Sequence, residues 1–161
     1  MDVNMGVRRN QVGVVKPAGA GLAAGIIMAL VAMMATAAMG KGLFAAPAMI
    51  AGIILGPDAM MTPTMPVILT GLALHMVLSM MFGAVFGFIV PLLRVPTILL
   101  GAAFGLILWI MNFYVLSFVS SGARAMAANE PVALAVGTHL VFGLVLGAIV
   151  VRIGSHAKSA T

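Results

Sequence analysis

The chain has 161 residues, of which 63% are hydrophobic and 7% charged, with a formal net charge of +5 and a mean hydropathy of +1.25. A soluble domain carries about a quarter charged residues, and one of this length still exposes roughly 30% of its chain surface, so this composition excludes a water-soluble fold and makes lipid the main solvent. Eight Lys and Arg against three Asp and Glu give a pI near 10.9 without forming a basic patch, which argues against nucleic acid as a partner; the lack of cysteine excludes disulfides, thiolate metal sites and cysteine nucleophiles.

Crossing about 30 Å of hydrocarbon takes about 20 apolar residues. Four runs qualify, at about 18–39, 67–93, 97–119 and 132–151. Pro17, Pro66, Pro96 and Pro131 stand directly before them, and proline suits the first turn of a helix, where its missing N–H has no partner anyway. The expected fold is an all-α membrane protein with four transmembrane helices. A segment 1–16 precedes the transmembrane domain 17–153, and a tail 154–161 follows it. Arg8-Arg9 ahead of an apolar run and Ala35-Thr36-Ala37 after it imitate a cleavable leader, but the run exceeds the 7–15 residues of a usual leader core and reads as the first span.

Orientation follows from the cations. Arg8, Arg9, Lys16, Arg94, Arg152 and Lys158 fall on one side, whereas Lys41 and Arg124 fall on the other with Asp58 and Glu130. The positive-inside rule then places both termini in the cytoplasm. The tight turn Arg94-Val95-Pro96 makes the second and third spans expected antiparallel neighbours. Between the first two spans, Leu43–Leu55 is apolar but too short to cross, and Pro47, Gly52 and Gly56-Pro57-Asp58 interrupt or close it. It reads as an interfacial or re-entrant segment, either a lid over loop backbone or a cap over a cavity.

The second and fourth spans share a pattern: His75, Ser79, Gly83-Ala84 in one and His139, Gly143, Gly147-Ala148 in the other, at identical spacing. The first and third match through Gly21 and Gly25 beside Gly101 and Gly105. The chain therefore reads as a tandem duplication of a helical hairpin, two parallel copies about an axis along the membrane normal. Positions i, i+4 and i+8 share a helix face, so Gly21, Gly25, Gly83, Gly101, Gly105, Gly143 and Gly147 are expected packing positions where backbones approach, and the histidines are expected to point into the bundle. A rise of 1.5 Å per residue puts both rings roughly 12–14 Å below the helix starts, near the level of Met33, Met34 and Thr36 on the first span and Trp109, Met111 and Asn112 on the third.

An ionisable group inside a membrane is a functional candidate by default, and several roles for His75 and His139 stay open. They can fix helix register by bonding each other, Asn112 or a carbonyl. They can be axial ligands of haem b, although the spans hold no arginine for its propionates. With Met33 and Met34, and with Met60, Met61 and Met65 nearby among 15 methionines, they can bind copper, although methionine also packs ordinary cores. With Ser79, Thr70 and Asn112 they can form a layer for proton or solute passage. An accessory role in a larger membrane complex also remains open. Hydrolytic catalysis is disfavoured: no acid in the spans orients a histidine, and Ser117, Ser120 and Ser121 have no base nearby in sequence. His156, beside Arg152 and Lys158, belongs to the headgroup-facing cluster.

The run Ala24-Gly25-Ile-Ile-Met-Ala-Leu-Val-Ala-Met-Met, the Gly-Leu-Ala-Leu-His75 helix, Gly105-Leu-Ile-Leu-Trp109 and Thr138-His139-Leu-Val-Phe-Gly143 together resemble small four-helix bacterial inner-membrane protein families of unknown function. The resemblance covers most of the chain and implies a multi-pass protein of the bacterial inner membrane, with no chemistry to carry over. The resulting expectation is a non-enzymatic membrane component with a buried paired-histidine polar or ligand site, its candidate residues His75, His139, Asn112 and Ser79. A small transporter or channel subunit is the alternative, and the lipid bilayer, a homo-oligomer or a larger membrane complex are the expected partners.

Overall fold

A computed structural model describes the backbone of residues 3–159 and the side chains of residues 16–153. The sequence expectations at Arg8, Arg9, His156 and Lys158 lie outside those described side chains. Seven α-helices follow in order: α1 (Val3–Ala38), α2 (Ala45–Leu55), α3 (Asp58–Met61), α4 (Met65–Ile89), α5 (Thr97–Ile110), α6 (Ser121–Asn129) and α7 (Val132–Ser159). No strand occurs among the described residues. Four stretches are long and apolar enough to cross a membrane, Lys16–Ala38, Met65–Leu92, Thr97–Val119 and Val132–Ile153. Each buries only 17–39% of its most apolar window inside the protein. The outward faces, carrying Leu30, Val77, Phe88, Leu99 and Ile107, are thus the lipid-facing side of an integral membrane protein.

Three of the four prolines stand where the sequence places them. Pro66 lies in the first turn of α4, Pro96 is the residue before α5, and Pro131 precedes α7. Pro17 differs, because α1 begins at Val3 and holds it inside the helix. Packing accounts for its position: Gly87 of α4 leaves the space the Pro17 ring fills, and Gly83 lies against the Pro17 carbonyl.

The principal helix pairs are α1 with α4 and α5 with α7, and α7 also packs along α1. Their cause is the glycine pattern. A Cβ on Gly21 would strike the Ser79 carbonyl and the Gly83 backbone, and one on Gly101 would strike the Gly143 carbonyl and Gly147 Cα. Gly105 faces the His139 carbonyl in the same way, and Gly25 faces the Ser79 side chain. In lipid no hydrophobic force drives helix to helix, so association rests on such close backbone approach. The expectation that the second and third spans pack as neighbours is corrected here. After the Arg94 turn, α4 and α5 meet through the Phe86 and Phe104 rings, 5.3 Å between centroids, because their glycines face α1 and α7 instead.

One end of the bundle is capped. Gly40, at φ 74°, closes α1 with Lys41 N–H donating to the Thr36 carbonyl at 3.0 Å. The chain then turns into α2, whose Ala46, Pro47, Ala48, Met49, Ala51 and Gly52 are buried. The short apolar segment is therefore a helix seated in protein: the Pro47 carbonyl lies against Gly71 of α4, and the Gly52 carbonyl against Gly122 of α6. The helix α6 is an element the hydropathy pattern does not predict. Ser120 caps it, accepting from Ala123 N–H at 3.1 Å, and donates its own hydroxyl to the Ile53 carbonyl at 3.0 Å, which ties α6 to α2.

Candidate functional site

Beneath the cap a partly open chamber of about 260 Å³ lies between the four spans. Met28 and Met33 of α1, Leu72 and Leu78 of α4 and Phe142 of α7 form part of its apolar wall, and the α2 residues Ile50 and Ile53 close it above. Into it open His75, Ser79, Asn112, Glu130, Thr138 and His139. Polar side chains from α4, the third span, the α6–α7 junction and α7 thus converge on one space.

His139 is 7% exposed and bonded at both ring nitrogens. The Ala135 carbonyl can only accept, so Nδ1–H donates to it at 2.8 Å, and Nε2 keeps the lone pair. Asn112 Nδ2 fills that lone pair at 3.3 Å. The Phe113 ring meets the imidazole edge-on at 5.7 Å. Asn112 lies where the third span changes winding after Ile110: Met111–Val115 form a π turn and Leu116–Phe118 a 3-10 turn. A π turn adds a residue to the helix and re-aims the side chains after it, and such turns concentrate at functional sites.

His75 is held differently. Its Nε2–H donates to the Gly25 carbonyl at 3.0 Å, so Nδ1 carries the free lone pair and the two rings are opposite tautomers. Gly25 is what lets the ring reach backbone across the α1–α4 seam. Ser79, one turn below, is 3% exposed and lines the chamber. Among the described residues its hydroxyl has no hydrogen-bond partner. Thr138, by contrast, bonds back to the Leu134 and Ala135 carbonyls at 2.9 and 3.1 Å.

The donor sets for haem and copper do not assemble. Haem with two axial histidines needs a free lone pair from each ring, and that of His139 is taken by Asn112. The chamber is also smaller than the roughly 300–1,000 Å³ of sites for drug-sized ligands, and neither Arg nor Lys lines it. Met33 lines the chamber, but Met34 is 70% exposed on the outer face. Met60 packs on Gly52, while Met61 and Met65 are 84% and 64% exposed, so the loop methionines form no soft-donor cluster. Among the described residues no group of three His, Asp or Glu could hold a metal ion.

Glu130 is the site residue that the sequence reading passed over. It follows α6 and lies outside the spans, yet it is half-buried and lines the chamber. Burial pushes its carboxyl up to about 7, against the opposing pull of the Lys41 ammonium. Lys41 itself donates to the Asn129 carbonyl at 2.7 Å, pinning the end of α1 to the α6–α7 junction. The available signal was an acid directly before Pro131 in an otherwise apolar chain. The chain finds no match among protein-family models, curated proteins or solved structures.

Proposed function

We propose that this protein is a non-enzymatic component of a bacterial inner membrane whose chamber binds a small, mainly apolar molecule bearing one hydrogen-bonding group. The observation that carries the reading is the convergence of His75, Ser79, Asn112 and His139 on one mainly apolar space. Ligand sites have this composition, mostly apolar walls with a few placed polar groups. Asn112 has a second amide hydrogen and its carbonyl still to offer, His75 has Nδ1, and Ser79 has a whole hydroxyl.

The charge distribution supports an orientation with both termini cytoplasmic, since Lys16, Arg94 and Arg152 lie toward the uncapped end against Lys41 and Arg124 toward the capped one. The matched contacts of Gly21 and Gly101 support an origin by duplication of a hairpin. The resemblance to small four-helix bacterial families fits the same setting.

The test uses Trp109, the chain's single tryptophan, which packs beside the capped-end core. In lipid nanodiscs, a neutral probe such as 1-octanol is expected to change its emission saturably. Ala32→Phe, which fills the chamber from its α1 wall, is expected to weaken binding about tenfold or more without lowering Tm. A signal that never saturates, or one unchanged in Ala32→Phe, sinks the reading.

A further inference from the structure

We infer that the chamber's ligand is a lipophilic amine, its ammonium group held by the Glu130 carboxylate under the cap and its apolar body directed toward Asn112 and Ser79. This rests on the chamber being a ligand site and adds the ligand's chemical class.

Among the residues that line the chamber, Glu130 alone carries a formal charge at neutral pH when the histidines are neutral. A neutral ligand gives no reason for a carboxyl at that position, where glutamine would offer the same hydrogen bonds without the desolvation cost. An anion would meet like charge, with neither Lys nor Arg among the lining residues. A cation would meet its counter-ion there, with its apolar body against the chamber's apolar walls.

The carboxylate is also left open. Among the described residues no ion pair closes it. Lys41, from the turn after α1, acts on it through space, but its ammonium is bonded to the Asn129 carbonyl. Arg124 of α6 is turned onto the Ser117 carbonyl, at 3.2 and 3.1 Å. Asp58 of α3 is the other charged residue at this end, and His75 and His139 are the titratable groups deeper in the chamber. Burial leaves the Glu130 carboxyl divided between its two protonation states near neutrality. An ammonium partner favours the ionised one, so binding is expected to release a proton. The Ser79 hydroxyl, which faces the same space, receives the polar far end of a longer ligand.

Octylamine, 1-octanol and octanoate form a matched set that differs only in the head group. Their binding is to be read by Trp109 emission in nanodiscs of zwitterionic phosphatidylcholine, which do not themselves concentrate amines. At pH 8 octylamine is expected to bind about tenfold tighter than octanol, and octanoate more weakly than either. Lowering the pH to 5.5 is expected to erase the preference for the amine by protonating Glu130. Glu130→Gln is expected to erase it at pH 8 while octanol binds as before. Equal affinity for octylamine and octanol at pH 8 overturns the amine assignment and leaves the chamber standing. A preference that survives at pH 5.5 or in Glu130→Gln also overturns it, and the pH arm decides the matter if the variant does not fold. Failure of all three probes overturns the chamber reading as well.

Discussion

In the α5–α7 pair the Gly143 carbonyl occupies the space beside Gly101, His139 is bonded at both ring nitrogens, and no hydroxyl stands at the histidine-plus-four position. In the α1–α4 pair Gly21 meets Gly83 in the matching way, but His75 uses one nitrogen and Ser79 takes the place of Gly143. Before the proline of α7 stands Glu130, and before that of α4 stands the exposed Met65. The seam is common to both pairs, whereas the polar chemistry differs. Equivalent frames thus hold one histidine bonded at both ring nitrogens and one with a nitrogen left to offer.

The common seam is the part whose disruption costs most. Gly101→Ala and Gly21→Ala each drive a methyl into backbone, so both are expected to reach or exceed the roughly 1–3 kcal/mol of ordinary overpacking. Gly137→Ala, with open space at its Cβ position, is the control and should leave unfolding in detergent unchanged or slightly raised. Tolerance of one seam glycine but not the other would break the equivalence of the two pairs. A smaller effect separates the histidines. His139→Ala removes a buried ring and strands Asn112, so it is expected to destabilise by about 2–3 kcal/mol. His75→Ala loses one hydrogen bond and is expected to cost about 1 kcal/mol; similar losses would remove the distinction between the two histidines.

The change expected at Glu130 is the one that depends on pH. A carboxyl whose folded pKa is raised from 4.5 to about 7 is bound to its proton more tightly in the folded state. Its contribution to stability is therefore full at low pH and is lost as pH rises through that interval. Glu130→Gln should raise the thermal midpoint by a few degrees at pH 8 and leave it unchanged at pH 4.5. An equal shift at both pH values would show that the carboxyl's burial has no energetic consequence.

How much of this was legible in the sequence depended on spacing. The spans, their glycine faces and the inward histidines follow from periodicity and hydropathy, which are local properties of the chain. The pairing of α4 with α1 depends instead on which face each glycine presents, so the short Arg94 turn was a poor guide to it. The helix α6 carries a legible signal in Ser120 before an alanine-rich run, but its nine residues leave no trace in a hydropathy pattern dominated by the four long spans. That Met33 lines the chamber while Met34 faces outward is a difference of one residue around a helix, about 100°, which a count along the membrane depth does not resolve. Glu130 was visible only as a loop acid, because its enclosure comes from α2, α6 and Lys41 closing over it.

The π turn at Met111–Val115 carries a consequence for how such a chamber arises. One residue inserted into a regular helix rotates everything beyond it, and here the amide that meets the imidazole lies within the inserted turn. Deleting a single residue at this point would return the helix to regular winding and turn Asn112 off His139. Such a deletion is therefore expected to rearrange the polar interior while leaving the four-helix frame in place.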